Sequence, residues 1–557
     1  MSYGHKFNSA NLVPNFSHLN VSRMIANNIK SVLISEPTDP ICENFLKKHN
    51  ISVTTKTGLS KEELIEEVKK YDALIVRSAT KVNADLINAG RNLKVIARAG
   101  VGVDNVDCEA ATTQGILVIN APGGNTMSAA ELTCVMLAAL SRNLAEACAS
   151  LKAGQWDRKK FMANELYGKT LAIIGLGRIG REVAHRMQAF GMTTIGYDPL
   201  VPAEESIKFG VESKSLEEIW PLADYITLHT PLIPQTRNMI NNDVFEICRK
   251  GVKIVNCARG GIIEETALLS ALKSGKCGGA GLDVYLEEPP KCTELLQHPK
   301  VICTPHLGAS TREAQSRVAE EISQQIVALN EGKSAHGIVN SAAFSLSMVH
   351  PQWVKVSKYL GAFASMLFPR TDKDISISAN VYGQDLFKKG PLFSTSILIG
   401  MLKQRHNVDS NFINTPTLAR DAGFEVTKVV TNPLKFDNIT LELEATSVSE
   451  KHTVLATINN GEPALCNIDG YQFRTLPPLC PDIIIFKGTN HDAVMKVIAI
   501  LTEFQLANSF SYAYKPEGEV AWIAAITETK VADMPEEVVK ELESTITYLD
   551  FWAQLKL

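Results

Sequence analysis

Three charged residues lie in the middle of the 557-residue sequence, each just beyond a short apolar run of the kind that forms a buried strand. They are Arg259 in VNCARGG, Glu288 in LDVYLEEPP and His306 in TPHLGAST. An imidazole can take up and return a proton near neutral pH, and a carboxylate beside it orients the ring. A guanidinium can hold a carboxylate through two parallel hydrogen bonds and stabilise charge on a nearby oxygen. The set fits hydride transfer from a 2-hydroxy acid, although each residue taken singly is more often structural.

A glycine-rich turn of the form G-x-G-x-x-G precedes these residues, at Gly175, Gly177 and Gly180. It stands between the apolar run Leu171–Ile174, which predicts a buried parallel strand, and a helical pattern with one apolar face. The first glycine suits a tight turn, the second a close approach of backbone N–H groups to a pyrophosphate, and the third helix–strand packing. Asp198 follows the next predicted strand, where a carboxylate would accept hydrogen bonds from a ribose and repel a 2′-phosphate. The pattern predicts NAD binding, and a purely structural glycine turn is the alternative.

Residues 30–118 alternate short apolar strands with helical patterns, which predicts a parallel sheet with helices on both faces. Two of the predicted strands run into an arginine, Arg77 and Arg98, and the second is followed by the turn Gly100-Val101-Gly102. Ligands usually bind at the carboxyl ends of such strands. An anion site is therefore favoured over two unrelated surface ion pairs.

The composition argues against several classes of function. The chain is 45% hydrophobic and 21% charged, as in an ordinary soluble protein, and its net charge of −4 gives no reason to expect a nucleic-acid or membrane-surface partner. No apolar run is long enough to span a bilayer. The 11 cysteines are scattered, without a C-x-x-C pair or a ligand-like cluster of histidines, so we expect reduced thiols, no metal site and a cytoplasmic location.

The predicted fold class is α/β, with two doubly wound parallel-sheet lobes followed by C-terminal α+β domains. The first lobe is expected to be flavodoxin-like and to receive the late helix Thr311–Asn330, and the second to be a Rossmann NAD-binding lobe. Residues 482–551 follow the order β-α-β-β-α-β of a ferredoxin-like unit, with the last strand at Thr545–Phe551. The expected divisions are a disordered N-terminal extension (1–28), a substrate-binding lobe (29–122 and 309–340), an NAD-binding domain (123–308), an α+β regulatory domain (345–480) and a ferredoxin-like domain (481–557).

Four segments together resemble the D-isomer-specific 2-hydroxyacid dehydrogenase family: GLGRIGREVA, VNCARGGIIEE, GLDVYLEEPP and TPHLGAST. The segments RSATKV, ARAGVGVDNVD, APGGNTMSAAE and QWDRKKFM, with the long C-terminal extension, narrow the resemblance to members that oxidise 3-phospho-D-glycerate. The motifs are dense over residues 29–340 and looser beyond. The resemblance implies NAD-dependent oxidation of 3-phospho-D-glycerate to 3-phosphohydroxypyruvate, the first step of phosphorylated L-serine biosynthesis. It also implies a homo-oligomer, either a dimer or a tetramer.

The resemblance further implies roles for individual residues. His306 would be the acid–base group, Glu288 its partner and Arg259 the clamp for the substrate carboxylate. The cofactor would contact the glycine turns and the residues that face its ribose and nicotinamide: Gly175, Gly177, Arg178, Ile179, Gly180, Asp198, Thr230, Cys257, Ala258, Asp283, Leu307, Gly308, Ala309 and Val101. The substrate would contact Arg77, Thr80, Arg98, Gly100, Asn125 and Arg158, the last of them from a neighbouring subunit. The C-terminal ferredoxin-like unit resembles the ACT module, so an amino-acid effector such as L-serine is a hypothesis.

One departure from the family lies in the turn Gly100-Val101-Gly102. Close relatives often carry threonine where this chain has Val101. A backbone donor survives this change but a hydroxyl contact to the cofactor does not, so we expect altered cofactor affinity with activity retained.

Two other functions stay open on the sequence. A hydroxypyruvate or glyoxylate reductase of the same family needs no phosphate pocket, so the basic residues Arg77, Arg98 and Arg158 argue against it. Asp198 also disfavours the NADP preference that is common in those reductases. A corepressor-like protein that binds NAD as a signal would keep the same catalytic set, but would lack a ferredoxin-like tail.

Overall fold

The structure, a computed structural model, contains three β-sheets that follow one another along the chain. The predicted N-terminal extension (1–28) lies outside the described residues except for Asn28. The described residues are 28–333, 336–369, 371–383, 389–432, 440–480, 483–487, 491–504, 507–514, 520–527, 540–541, 544–545 and 551–555.

The first lobe contains five strands and four helices. The strands are β1 (Ser31–Ile34), β2 (Ser52–Thr55), β3 (Ala73–Val76), β4 (Val95–Arg98) and β5 (Leu117–Asn120). The helices are α1 (Pro40–Lys48), α2 (Lys61–Val68), α3 (Ala84–Ala89) and α4 (Cys108–Thr113). Every neighbouring pair of strands is parallel, in the order β2-β1-β3-β4-β5. All four residues of β3 are buried, as expected for a short apolar strand covered on both faces. The order is that of a flavodoxin-like sheet, which confirms the predicted fold of this lobe.

The second lobe contains seven strands and eight helices. The strands are β6 (Thr170–Ile174), β7 (Thr193–Tyr197), β8 (Glu212–Ser213), β9 (Tyr225–Leu228), β10 (Val252–Asn256), β11 (Cys277–Leu282) and β12 (Val301–Cys303). The helices are α5 (Thr126–Ser141), α6 (Leu144–Lys152), α7 (Arg178–Ala189), α8 (Ala203–Ile207), α9 (Leu216–Ile219), α10 (Asn242–Ile247), α11 (Glu265–Ser274) and α12 (Thr293–Leu296). The parallel strands lie in the order β12-β11-β10-β9-β6-β7-β8. The order reverses beside β6, which is the doubly wound Rossmann arrangement that was predicted.

The chain passes between the two lobes twice. After β5 it crosses through residues 121–125 into α5, and after β12 it returns through α13 (Arg312–Asn330). Helix α13 packs on α1 and buries apolar side chains in the core of the first lobe, among them Val318, Ile322 and Ile326. The buried side chain of Gln325 accepts a hydrogen bond from Gly337 N (2.7 Å) and donates one to Asn120 O (2.8 Å). This packing supports the assignment of 309–340 to the first lobe, whose boundaries stay a prediction.

A third, ten-stranded mixed sheet follows. Its strands are β13 (Ile375–Tyr382), β14 (Phe424–Asn432), β15 (Thr440–Thr446), β16 (Lys451–Asn459), β17 (Glu462–Ile468), β18 (Tyr471–Phe473), β19 (Ile483–Lys487), β20 (Ala507–Tyr514), β21 (Val520–Thr527) and β22 (Phe551–Gln554). The helices of this region are α14 (Ala342–Val349), α15 (Pro351–Met366), α16 (Gly390–His406), α17 (Thr415–Asp421) and α18 (His491–Glu503). The strand order is β14-β13-β15-β16-β17-β18-β20-β21-β19-β22.

The last four strands pair antiparallel in the order β20-β21-β19-β22, which is the ferredoxin-like order that the sequence predicts. Because β20 also pairs with β18, the sheet is continuous across the predicted division at 480 and 481. The predicted strand Thr545–Phe551 was placed too early: Thr545 is helical, and the strand is Phe551–Gln554. Most of the second predicted helix of this unit, residues 535–544, lies outside the described residues.

Among the described residues, no single helix is both long and apolar enough to cross a membrane. The consecutive helices α5 and α6 meet the length and composition criteria only as a pair bent by 67°. The same part of the chain holds no group of three or more histidine, cysteine, aspartate or glutamate residues able to bind a metal ion.

Helices α15 and α16 pack very closely, and Gly400 marks the closest approach. A Cβ on Gly400 would lie 1.9 Å from the carbonyl oxygen of Lys358. We expect Gly400→Ala to destabilise this helix pair by about 1–3 kcal/mol, because the backbone of α15 must move. Thermal unfolding, followed by tryptophan fluorescence, measures the change. Trp353 on α15 reports on this helix pair, because its ring meets that of Phe393 on α16 edge-on at 5.0 Å.

The matched control is Gly390→Ala, at the start of the same helix. Within the described residues, no atom lies within 4 Å of a Cβ at this position. Its unfolding temperature should stay at the wild-type value or rise slightly, since alanine favours helix more than glycine does. Equal unfolding temperatures for the two variants would contradict the proposed steric limit.

Candidate active site

The candidate active site lies between the two lobes, at the carboxyl ends of their parallel strands, and we call this region the cleft. A histidine and a glutamate meet there. Glu288 follows β11 and His306 follows β12, and these two strands are neighbours in the sheet. His306 Nδ1 lies 2.7 Å from Glu288 Oε2, with both side chains partly exposed. The other carboxylate oxygen, Oε1, accepts a weaker hydrogen bond from Tyr285 N at 3.3 Å. The structure therefore brings together the two residues that the sequence proposed as acid–base group and partner.

Arg259 follows β10 and reaches across the cleft to the first lobe. Asn256 shapes its loop, because Asn256 Nδ2 donates to Arg259 O (2.8 Å) and Asn256 Oδ1 accepts from Ala258 N (3.0 Å). The guanidinium is held at two points. Its Nη1 donates to Ala258 O (2.6 Å), and its Nε forms an ion pair with Asp104 Oδ2 (3.0 Å). Asp104, in the loop after the turn 100–102, was not proposed from the sequence as a site residue.

A fully buried carboxylate, Asp283, organises the loop that carries His306. Its Oδ1 accepts hydrogen bonds from Thr304 Oγ1 and Leu307 N, both at 2.6 Å, and its Oδ2 accepts one from Gly308 N at 2.8 Å. The sequence proposed Asp283 only as part of the nicotinamide side of the cleft. Its position directly after the apolar strand β11 could have indicated this role. A carboxylate that follows a buried strand is expected to be buried as well, and a buried charge needs hydrogen-bonding partners.

The glycine loop leaves space at the start of α7. Gly175 has a left-handed φ of +98°, and a Cβ there would lie 2.5 Å from His229 O. At Gly177, which precedes α7 without a side-chain cap, no described atom lies within 4 Å of a Cβ. Gly180 is buried, and a Cβ on it would lie 2.1 Å from Gly175 O. The open N-terminus of α7 is therefore free of side chains at the point where a pyrophosphate would bind.

Asp198 lies at the end of β7, against the glycine loop. Its Oδ2 accepts a hydrogen bond from Leu176 N and its Oδ1 one from Leu200 N, both at 2.8 Å. The carboxylate thus stands beside the loop, at the edge where the sequence predicts a ribose. Arg178, at the exposed start of α7, faces the interlobe crossing, with its Nη1 3.3 Å from the Cβ position of Gly123. Ile179 packs on the core of the second lobe.

Thr230 Oγ1 and Asn125 Oδ1 are inaccessible to solvent and have no hydrogen-bond partner among the described residues. Thr230 lies beside Gly175, with its Cγ2 3.2 Å from the Cβ position of that glycine. Buried polar groups are normally paired, so both atoms fit contacts to a bound ligand. The hydroxyl of Thr230, the uncapped helix and the carboxylate of Asp198 together fit a dinucleotide.

Two titratable groups on the nicotinamide side of the cleft are held neutral. Burial raises the pKa of the Cys257 thiol to about 12, and its sulfur lies 3.6 Å from Met136 Sδ. Burial lowers the pKa of His229 to about 3, and its Nε2 lies 3.0 Å from Thr227 Oγ1. His229 was not singled out in the sequence. The remaining residues proposed for this side form the His306 loop, where Leu307 is partly exposed and Ala309 O accepts from Gln315 Nε2 at 2.7 Å.

The strand-end loop that carries Arg77 and Thr80 is held by a carboxylate that the sequence did not indicate. Glu36, just after β1, accepts hydrogen bonds from Arg77 N (2.8 Å), Ala79 N (3.1 Å) and Thr80 N (2.8 Å). Burial opposes the charge of Glu36, but the backbone donors outweigh it and lower the pKa of this carboxyl. An acidic residue directly after the first apolar strand was the signal for it.

Arg98 lies close to the other arginines of the cleft. Its Nε is inaccessible and has no partner in the described part of the chain, and a Cβ on Gly100 would collide with its Nη1. Burial lowers the pKa of Arg98, and the charges of Arg259 and Arg77 lower it further. The carboxylates of Asp104 and Glu36 act in the opposite direction. Arg98 thus lies near two other guanidinium groups whose charges oppose its own.

Val101 and Arg158 are the two remaining residues that the sequence proposes as contacts. Val101 contributes its carbonyl oxygen to Asn120 Nδ2 at 2.5 Å, which fixes the turn 100–102. Arg158 lies in the fully exposed stretch 151–160, and none of the described hydrogen bonds or ion pairs involves it.

Comparison with known proteins identifies the class of this site. Residues 134–308 match the family described as D-isomer specific 2-hydroxyacid dehydrogenase, NAD binding domain. D-lactate dehydrogenase from Aquifex aeolicus, whose crystal structure contains NAD and lactic acid, is 30% identical with a TM-score of 0.50. The match covers 58% of this chain and 98% of that chain. The two α/β lobes therefore have the fold of an NAD-binding 2-hydroxyacid dehydrogenase.

Relatives of similar length extend the match into the C-terminal region. The chain is 45% identical over 511 residues to D-3-phosphoglycerate dehydrogenase of Sus scrofa, covering 90% of this chain and 95% of the relative. It is 46% identical over 486 residues to D-3-phosphoglycerate dehydrogenase of Homo sapiens, covering 86% of this chain and 91% of the relative. The chain belongs to the D-3-phosphoglycerate dehydrogenases within the D-isomer-specific 2-hydroxyacid dehydrogenase family.

We expect Asp283→Asn to lower kcat/KM by about 100-fold. In the wild type three donors bond to the two carboxylate oxygens, whereas the amide of the variant offers them a single oxygen. The loop from Thr304 to Gly308 would lose part of its support, and His306 would lose its alignment with Glu288. Initial rates of NADH formation measure the loss. The matched control is Asp243→Asn, an exposed carboxylate in the first turn of α10, which should retain wild-type activity. Wild-type kcat/KM in the Asp283 variant would contradict the assigned role.

Proposed function

We propose that this protein oxidises the C2 hydroxyl of 3-phospho-D-glycerate to 3-phosphohydroxypyruvate, the entry reaction of phosphorylated L-serine biosynthesis. The observation that carries the proposal is the His306–Glu288 pair, which lies in the same cleft as three arginines and an open glycine loop. NAD, when bound, accepts the hydride that leaves C2. The roles below are argued from the residues of this chain.

His306 exchanges the hydroxyl proton through Nε2. Its Nδ1 faces the Glu288 carboxylate, which can only accept a hydrogen bond. The neutral imidazole therefore donates Nδ1–H to the carboxylate and keeps a lone pair on Nε2. Glu288 also stabilises the imidazolium that forms when the proton arrives. In the reverse direction the same nitrogen returns the proton to the carbonyl oxygen.

Arg259 holds the substrate carboxylate and stabilises negative charge on the C2 oxygen. Arg77, Thr80, Arg98, Gly100 and Asn125 hold the remaining anionic end. Because the charges of Arg77 and Arg259 both oppose that of Arg98, this end of the cleft favours a ligand with more than one negative charge. A phosphorylated hydroxy acid provides such charge, and unphosphorylated D-glycerate or D-lactate provides less.

The test is NADH formation from 3-phosphoglycerate, D-glycerate and D-lactate side by side, with the product trapped. We expect turnover with 3-phosphoglycerate alone, and a fall in kcat of about 10²- to 10⁴-fold in His306→Ala. His185→Ala, an exposed histidine on α7, is the matched control and should leave the rate unchanged.

The other outcomes favour the two rival functions. Equal turnover of D-glycerate would remove the argument for a phosphate pocket and favour a hydroxypyruvate or glyoxylate reductase. Tight NAD binding without turnover of any substrate would favour a corepressor-like sensor.

We propose L-serine as an effector of the C-terminal region. The support is the ferredoxin-like strand order of β20-β21-β19-β22 and its resemblance to the ACT module. Adding L-serine to the same assay tests this, and an unchanged rate would refute it.

We also propose a cytoplasmic location, supported by the eleven cysteines, all within the described residues and none in a disulfide.

We propose that the protein is a homo-oligomer joined through α6 and the segment that follows it. This part of the chain exposes an unusual number of large apolar side chains: Leu144, Leu151, Trp156, Met162 and Tyr167. Arg158 lies within the same segment, which would allow it to approach the cleft of a partner subunit.

We expect Trp156→Glu to shift the sedimentation coefficient toward that of a monomer, because the charge would have to be buried in the interface. Leu200→Glu, at an 88% exposed leucine elsewhere in the second lobe, is the control and should leave the assembly unchanged. If Arg158 acts across the interface, the monomeric variant also shows a raised KM for 3-phosphoglycerate. An unchanged sedimentation coefficient for Trp156→Glu would contradict the proposed interface.

A further inference from the structure

Asp104 makes a contact that the proposed reaction does not use. It belongs to the first lobe and Arg259 to the second, so their ion pair of 3.0 Å bridges the cleft. The Asp104 side chain is 69% exposed and that of Arg259 is 27% exposed. A Cβ on Gly102 would lie 2.0 Å from Arg259 Nη2 and 2.6 Å from Asp104 Oδ2. The carboxylate and the guanidinium therefore meet against the backbone of the substrate turn.

The geometry of Arg259 shows which part of the guanidinium Asp104 occupies. Nη1 already donates to Ala258 O, so the edge formed by Nε and Nη2 is the one that offers two parallel donors. Asp104 Oδ2 lies at the Nε end of this edge. A substrate carboxylate that binds Arg259 in the two-pronged manner needs the same edge.

Asp104 also offsets the charge of Arg98. Its carboxylate raises the pKa of Arg98, as does that of Glu36. The two carboxylates differ in their contacts, because Glu36 accepts three backbone hydrogen bonds in its own lobe whereas Asp104 forms an ion pair with Arg259 of the other lobe.

The ion pair is weak enough to exchange with a ligand. One partner lies mostly in water, and solvent screens the attraction. A ligand carboxylate can therefore replace Asp104 at a small cost. This cost is the same for every ligand that places a carboxylate on Arg259, and it is absent for a ligand that has none.

We propose that Asp104 occupies the carboxylate site of Arg259 when no ligand is bound and competes there with the ligand carboxylate. This inference rests on the proposed function, because it takes Arg259 as the carboxylate clamp. It goes further in assigning to Asp104 a penalty on every ligand that places a carboxylate on Arg259. Asp104 is displaced on binding, and it takes no part in proton or hydride transfer.

The test compares two ligands that each carry one half of the substrate's charge. D-Glycerate has the carboxylate without the phosphate, and glycerol 3-phosphate has the phosphate without the carboxylate. Inhibition constants against 3-phosphoglycerate are measured at constant ionic strength in wild type, Asp104→Asn and Asp104→Ser. We expect both variants to bind D-glycerate about three- to fivefold more tightly, the range that loss of an exposed competing pair allows. Binding of glycerol 3-phosphate should change less than twofold.

Two further variants complete the design. Asp104→Glu keeps a carboxylate and should restore most of the wild-type inhibition constant for D-glycerate. Asp85→Asn removes another carboxylate of the first lobe, which is 67% exposed and pairs with Lys61 at 2.9 Å, and should change neither inhibition constant.

Three results would overturn the proposal. Equal tightening of both ligands would show a general effect of charge, and weaker binding of D-glycerate would show that Asp104 orients Arg259 in the complex. Unchanged constants would show no competition at all. Failure of the proposed function is a separate result, because wild type would then not oxidise 3-phosphoglycerate.

Discussion

The geometry of the cleft depends on one buried carboxylate, that of Asp283. A charge removed from water must be paired, and here the partners are the hydroxyl of Thr304 and the backbone of Leu307 and Gly308. The loop is thus folded around the carboxylate. His306 lies inside this loop with a left-handed φ of +55°, which costs a non-glycine residue about 1–3 kcal/mol. The hydrogen bonds on either side of His306 offset that cost, and they direct its imidazole to the carboxylate that follows the neighbouring strand.

The electrostatics of the substrate end join the two lobes. Arg77 of the first lobe and Arg259 of the second both lower the pKa of Arg98. The carboxylates of Glu36 and Asp104 act on Arg98 in the opposite sense. Glu36 is fixed by backbone N–H groups of its own lobe, whereas Asp104 is exposed and pairs with Arg259 across the cleft. An anionic ligand at this place would add negative charge beside Arg98 and the arginine of each lobe.

Local patterns were sufficient to predict the two parallel lobes, because each βα unit carries its own periodicity and the glycine loop its own spacing. They were not sufficient for contacts between distant parts of the chain. The partners of Asp283, of Glu36 and of Asp104 all lie on other loops, and no spacing rule brings those loops together. The last strand shows a second limit. The sequence predicts it at Thr545–Phe551, whereas Phe551–Gln554 pairs with β19, and a pairing with a distant strand is not encoded in the local pattern.

A loop of the C-terminal region contacts the first lobe beside β5, the strand that leads to the cleft. Asn411 Nδ2 donates to Gly115 O at 3.0 Å, immediately before β5. At the other end of β5, Asn120 donates to Val101 O in the substrate turn and accepts from Gln325 on α13. The chain then crosses into the second lobe. Phe412 and Ile413 also pack on the core of the first lobe, and α17 contacts α4. The loop around Asn411 therefore packs beside β5, the strand that leads to the interlobe crossing and that contacts, through Asn120, the substrate turn following β4.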